Sequence, residues 1–271
     1  MTESVTLTVE VAKVLDMLNK CSLDGDKEHD DLYLEVSDEG VIVLQSAPGE
    51  VVLTYGSYYP DYFESISFDG VDKLGAVIRV EQLEDYLSMV SDGGIIEMTF
   101  ATEVEGDDLA RFVDITGDLE ARITLPGGGD MLSRIPDWLP ERFTDDNIYT
   151  SSPESGSKEL PTRIETTSDS VHRIINAKKK TNSKVYPIVV EEGSFRINIG
   201  TDAEYVRGSL DSANVTGPDV DNKYLAGFEE IFSVMSGRLL LQTAPDNGPL
   251  AVVQTGNDYV VRHVNTSVNL E

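Results

Sequence analysis

Residues 6–21 read TLTVEVAKVLDMLNKC and residues 83–90 read LEDYLSMV. In the first stretch Val11, Val14, Leu15 and Leu18 fall at i, i+3, i+4 and i+7. Leu83, Tyr86, Leu87 and Val90 do the same in the second, which is the spacing of a helix with one apolar stripe. Val171, Ile174 and Ile175, and then Leu225, Phe228 and Phe232, each satisfy three of the four positions. β-rich sequence follows every one of these segments. The chain therefore runs helix, strands, helix, strands, and then does so again. Duplication of a supersecondary unit fixes the architecture before any site is considered. Here it predicts an α+β protein of two similar halves.

The pattern places a strand over 4–8, a helix over 9–21 with Thr8 as its N-cap, and strands over 32–36, 41–45 and 51–54. A helix over 80–91 ends at Asp92-Gly93-Gly94, and strands over 95–101, 111–116 and 119–125 complete the first half. The second half predicts helices over 169–180 and 221–235. Its strands are expected over 186–190, 195–199, 205–210, 239–243, 250–254 and 259–264. Between the halves, from Pro126 to Pro161, periodicity disappears into Gly127-Gly128-Gly129, five prolines and a polar run over 151–157. The expected domains are thus 1–126 and 162–271, joined by a connecting loop over 127–161.

The 271 residues carry 49 acidic and 21 basic side chains, a formal charge of −28, yet 40% are hydrophobic, too many for a disordered acidic chain. A folded protein with this much carboxylate suits molar salt, where self-repulsion is screened, so a halophilic origin is expected. The charge is uneven. Residues 1–150 hold 9 basic and 33 acidic side chains, and residues 151–271 hold 12 and 16. Positive charge is densest at Lys178, Lys179, Lys180 and Lys184. That cluster could serve binding or simply answer the helix dipole at the end of the third helix.

No apolar run is long enough to span a bilayer, and the opening MTESVTLTVE has neither a charged n-region nor an apolar h-region, so a cytoplasmic protein is expected. Cys21, the single cysteine, has no internal disulfide partner and is expected to be a buried small apolar residue. Histidines at 29, 172 and 263 give no metal-ligand spacing. Gly127-Gly128-Gly129 lacks the following Lys-Ser/Thr of a phosphate loop, and no nucleophile elbow is present. Neither catalysis, a metal nor a cofactor is expected. Function must rest on binding and assembly.

Several blocks, in order, resemble the sliding clamps of the proliferating cell nuclear antigen (PCNA) family. They are Thr6-Leu7-Thr8-Val9-Glu10-Val11 with its helix, Val77 to Asp85, Leu160-Pro161-Thr162-Arg163-Ile164, Lys223-Tyr224-Leu225, Gly248 to Val253, and Tyr259 to Val264. The resemblance implies a duplicated clamp fold and a homotrimeric ring that encircles double-stranded DNA without sequence preference. It also implies docking of DNA polymerase, a clamp loader and other replication proteins through short peptides. By that resemblance Lys13, Lys20, Arg173 and Lys223 would lie on hole-facing sides of the four helices, with Lys178 to Lys180 and Lys184 adding to the DNA-facing set. The strand at 120–125 of one subunit would pair with 205–211 of the next, with Ile123, Leu125, Tyr205 and Val206 at the interface. A partner-peptide pocket would combine Leu44, Gln45, Ile148, Tyr149, Pro249, Val264, Asn265, Thr266 and Ser267.

Asp85, Ser88 and Glu230 stand where family members often carry lysine, and Asn265-Thr266-Ser267 replaces an Ala-Pro-basic tail. These departures suit a divergent clamp of a halophilic archaeon or of its virus or plasmid, working in the host cytoplasm. An acidic DNA-mimicking inhibitor is the alternative, and an inert carbohydrate- or surface-binding β module a third. Neither predicts a closed trimer.

Overall fold

A computed structural model describes residues 3–22, 31–46, 52–90, 93–128, 132, 139–150, 159–177, 185–200, 205–209, 213–224 and 228–265. The chain divides into two compact units. The first takes in residues 1–46, 54–136 and 256–261, and the second 47–53, 137–255 and 262–271.

In the first unit β1 (Ser4–Glu10) runs directly into α1 (Val11–Ser22). There follow β2 (Asp31–Ser37), β3 (Gly40–Ser46), β4 (Val52–Tyr58), β5 (Ser65–Asp69), β6 (Lys73–Arg79), α2 (Val80–Val90), β7 (Ile95–Ala101), β8 (Phe112–Thr116) and β9 (Glu120–Thr124). The strands lie in the orders β5-β1-β7-β8-β9 and β4-β3-β2-β6. The second half repeats this with β10 (Thr162–Thr167), α3 (Ser168–Ala177), β11 (Tyr186–Glu191), β12 (Ser194–Gly200), β13 (Tyr205–Ser209), β14 (Asn214–Thr216) and β15 (Val220–Tyr224). It ends with α4 (Phe228–Val234), β16 (Arg238–Thr243), β17 (Leu250–Thr255) and β18 (Tyr259–Asn265). Its orders are β14-β10-β16-β17-β18 and β13-β12-β11-β15.

The two lists correspond strand for strand. Even the helix starts match: Val11 N–H donates to Gly94 O at 3.0 Å and Ser168 N–H to Gly237 O at 2.8 Å, each glycine standing just before the strand that pairs with the one leading into the helix. The duplicated α+β architecture read from periodicity is the observed one.

Each helix buries most of the stripe its spacing marks out; Leu15, Tyr86 and Ile175 are half-buried, and Leu225 and the side chain of Val90 lie outside what is described. Val11, Val14, Leu18 and Cys21 of α1 and Leu83 and Leu87 of α2 are interior, as are Val171 and Ile174 of α3 and Phe228, Ile231 and Phe232 of α4. Phe228 stacks on Tyr186 with centroids 4.6 Å apart and lies 4.8 Å from Phe232. Removing a side chain of this size from water contributes about 1.5–3 kcal/mol. Cys21 is buried as expected, and burial pushes its thiol up to about 12 despite a 3.5 Å contact with the Tyr58 hydroxyl.

Four expectations change. Thr8 is not an N-cap: β1 is paired on both sides, Thr8 facing Ser65 and Glu97, so its backbone belongs to the ladder until Glu10. The helix expected over 221–235 is β15 followed, after residues 225–227, by the two turns of α4. In β15 burial alternates, with Val220, Asn222 and Tyr224 inward, and the polar Asn222 in a core position hides the period of two. Strands β5, β6, β10, β14 and β15 were not expected. β6 is buried at five consecutive positions and shows no alternation, whereas β5, a five-residue strand at a sheet edge, does alternate, with Ile66 and Phe68 half-buried between exposed neighbours. Within 126–161 a short hairpin, Phe143 opposite Tyr149, interrupts the expected loop.

In the second unit His263 is wholly buried in β18, and burial pushes its imidazole down to about 3. Because the unfolded chain takes up this proton first, the residue's share of stability is complete above pH 6.5. It is lost as pH falls towards 3, at about 1.4 kcal/mol per unit. His263→Gln should flatten the dependence of unfolding free energy on pH between 6 and 4 by that amount in urea melts. An unchanged slope would mean that His263 does not titrate in this range.

Candidate functional site

Three surfaces bear on assembly and binding: the helix faces, the segment after the first domain, and the sheet edges. On the helices, the basic residues singled out in the sequence are mostly occupied. Lys13 Nζ donates to Tyr62 O at 2.8 Å and lies 5.4 Å from the Tyr62 ring, whose hydroxyl donates back to Lys13 O at 2.6 Å. Lys20 is only 4% exposed. It is paired with Asp16 one turn earlier and stands 5.4 Å from the ring of Tyr259, which itself stacks on Tyr58. Lys20 is therefore an interior residue and leaves the DNA-facing set. Nothing local announces this, because Tyr259 arrives from the far end of the chain.

Lys223 leaves the helix faces too. It lies on β15, where the alternation turns it away from Tyr224, whose ring stacks with Phe228 of α4. Lys178, Lys179, Lys180 and Lys184 lie outside the described residues. On the helices, Glu81, Asp85, Ser88 and Met89 of α2 and Asp169, Arg173 and Asn176 of α3 are exposed, so Arg173 is the one fully exposed base among the described helix residues.

Lys20→Ala is expected to cost about 1–2 kcal/mol, less than the several kcal/mol of a fully buried pair because the Asp16 side chain is 43% exposed. Chemical denaturation measures it, and a variant as stable as the parent would show that the pair is not structural.

The residues expected to form a peptide pocket are interior in each unit. Leu44 and Gln45 of the first are 9% and 4% exposed; Ile148, Tyr149, Val264 and Asn265 of the second are 8%, 7%, 2% and 0%. Pro249 is half-buried, and Thr266 and Ser267 lie outside the described residues. Residues 142–150 are clipped to the second unit by two side chains. Gln242 Oε1 accepts the Tyr149 N–H and Gln242 Nε2 donates to Asn147 O, both at 2.9 Å, while Arg262 Nε donates to Asn147 Oδ1 at 2.9 Å. Phe143 meets Tyr149 edge-on at 5.2 Å. Ile148 and Tyr149 hold this segment in place, and their apolar side chains are satisfied within the chain.

At the edges, β9 and β13 end their sheets. Leu125 N–H donates to Arg111 O at 2.8 Å, which fixes the alternation of the β8–β9 ladder: residues 121, 123 and 125 bond inward, and residues 120, 122 and 124 turn their backbone groups outward. Ile123 and Leu125 are 3% and 7% exposed, so they pack into their own unit, and the outer edge of β9 offers backbone rather than apolar side chains. For Tyr205 and Val206 the strand is described, but not the side chains. In the first unit the edge of β4 is covered: residues 259–261 run beside it, Tyr59 N–H donates to Asp258 O at 2.9 Å, and Tyr259 stacks on Tyr58 at 5.6 Å.

No protein-family model matches the chain, and no curated protein does. Solved structures do. PCNA of A. fulgidus, bound to the C-terminal region of FEN-1, superimposes with a TM-score of 0.70 at 14% identity, over 98% of this chain and 99% of that one. PCNA of Entamoeba histolytica gives 0.69 at 12% identity, over 98% and 99%. PCNA of Thermococcus kodakaraensis gives 0.67 at 14% identity, over 97% and 100%. The chain has the sliding-clamp fold over its whole length.

Proposed function

We propose that the protein is a DNA sliding clamp: a homotrimeric ring that encircles duplex DNA and tethers replication and repair enzymes as a non-catalytic processivity factor. One observation carries the reading. In the duplicated order β4 corresponds to β13 and β18 to β9. Within the first unit residues 259–261 cover the edge of β4, whereas β9 and β13 have no further strand beside them among the described residues. An exposed strand edge is a template for pairing, and a head-to-tail contact repeated with the right rotation closes a ring. Pairing β9 of one copy with β13 of the next supplies that contact.

Light scattering at molar salt should give three times the 29.7 kDa chain mass. A monomer at high protein concentration would sink the proposal. It would also favour the acidic DNA mimic, which needs no ring.

In this reading residues 1–126 and 162–271 are the two clamp domains and 127–161 connect them. Partners bind through short peptides; A. fulgidus PCNA, which shares the fold, is bound by the C-terminal region of FEN-1. Since Ile148 and Tyr149 are interior, we place the contact around Pro249 and the Thr266-Ser267 tail. The charge of −28 supports a saline setting, halophilic archaeal or viral, in the cytoplasm. No helix among the described residues is long and apolar enough to cross a membrane.

A further inference from the structure

Strands β6 and β15 hold the same place in the two units, each beside the first strand of a hairpin. Ser37 faces Gly40 in one hairpin and Glu191 faces Ser194 in the other. Two residues before these, Glu35 pairs with Gly75 and Val189 with Asp221. Asp221 is thus the counterpart of Gly75.

At Gly75 the chain closes its own edge. Gly75 N–H donates to Asp108 O at 3.0 Å, Ala110 N–H donates to Gly75 O at 2.8 Å, and Leu109 forms a parallel bridge. At Asp221 no backbone segment among the described residues does this. The stretch that follows β16, as Asp108–Ala110 follows β7, is the turn Pro245–Asn247. It is fastened by the buried side chain of Asn222, whose Oδ1 accepts the Asn247 N–H at 3.0 Å and whose Nδ2 donates to Ala244 O at 2.7 Å.

A cavity of about 740 Å³ remains beside this edge, lined by Val189, Arg196, Asn198, Asp219, Asp221 and Asp246 among others. Its three aspartates outnumber the single arginine, which is itself paired with Glu191.

We infer that this cavity binds an extended, lysine- or arginine-bearing segment of a partner protein, which makes at Asp221 the two backbone hydrogen bonds that Asp108 and Ala110 make at Gly75. The added segment continues the sheet edge, the usual way a strand recruits a peptide. The aspartates receive the cationic side chains, fixing register and sign of charge. The site requires neither a ring nor DNA, so it stands or falls apart from the clamp reading.

A fluorescein-labelled hexapeptide alternating lysine and alanine, added to the full chain in low salt, should give a saturable one-to-one anisotropy isotherm. The same peptide methylated at every backbone amide should bind at least roughly tenfold more weakly, since its donors are gone. Asp221→Pro, which removes the N–H at this position, should reproduce that loss. The double change Asp221→Asn and Asp246→Asn should weaken binding severalfold through charge alone. Because so acidic a chain attracts any polycation, the methylated peptide on the unaltered protein is the deciding arm. Equal affinity for both peptides would overturn the inference. So would a glutamate-alternating peptide that binds as well, or a folded Asp221→Pro variant that binds like the parent.

Discussion

Arg122→Pro is expected to turn the trimer into monomers, whereas Arg122→Ala should leave it trimeric. Arg122 sits in the middle of β9 with its backbone N–H on the outward side of the ladder, so proline removes a donor that no intrachain bond uses. Its fixed φ is tolerated at an edge, and the fold should survive. An incoming strand loses that bond and meets the ring carbons instead. The alanine variant isolates the side chain. Arg122 makes a bidentate pair with Asp114, at 2.5 and 2.7 Å, and lies 4.3 Å from the Phe112 ring, but its side chain is 62% exposed and such pairs are screened. Sedimentation at matched concentrations should show the proline variant dissociating at least a hundredfold more readily than the alanine variant. If both remain trimeric, β9 is not the interface strand, and the ring, if it forms, closes elsewhere.

The choice of backbone rather than side chain follows from what burial shows. Ile123 and Leu125 are apolar residues in an edge strand, and the sequence alone leaves them free to face either a neighbour or the core. They face the core. The same limit runs through the helix residues. Periodicity locates buried residues on all four helices, among them Val14 and Leu18, Leu83 and Leu87, Val171 and Ile174, and Phe228 and Phe232, because those depend on neighbours three and four positions away. Lys20 sits beside that stripe, and the family resemblance puts it on the hole-facing side, because the ring that covers it, Tyr259, is far away in the chain. Lys223 reads as helical in the sequence because Asn222, polar and fully buried, conceals the alternation of β15; the Asn222 amide bonds to Thr243, Ala244, Tyr224 and Asn247. Ile148 and Tyr149 looked stranded in a polar loop until Gln242 and Arg262 supplied what holds them. Repetition and local period are legible in one dimension. Polar residues whose partners lie a hundred positions away are not.

Retention on DNA should depend on the topology of the DNA and hardly at all on charge. Once a loader has placed it on a closed circle, the protein should stay through a tenfold rise in salt and leave when the circle is cut, by sliding off the ends. Ordinary protein–DNA affinity falls by about 0.9 log units per phosphate contact for each tenfold rise in salt, so even five contacts would forfeit more than four orders of magnitude. The described helix residues have little to forfeit. Lys20 is interior, Lys13 is engaged with Tyr62, and among the described helix residues the exposed positions carry Glu81, Asp85 and Asp169 against the single Arg173. Arg173→Ala, combined with alanine at Lys178, Lys179, Lys180 and Lys184, should therefore leave residence on the circle nearly unchanged, and short linear duplex should show negligible equilibrium binding with either protein. Lys20 is left out of that set because its loss would report on folding. Gel filtration of loaded circles before and after restriction cleavage makes the measurement. Equal retention on circular and open linear DNA would show that the protein grips DNA rather than surrounding it, and the encircling mechanism would then be wrong even for a trimer.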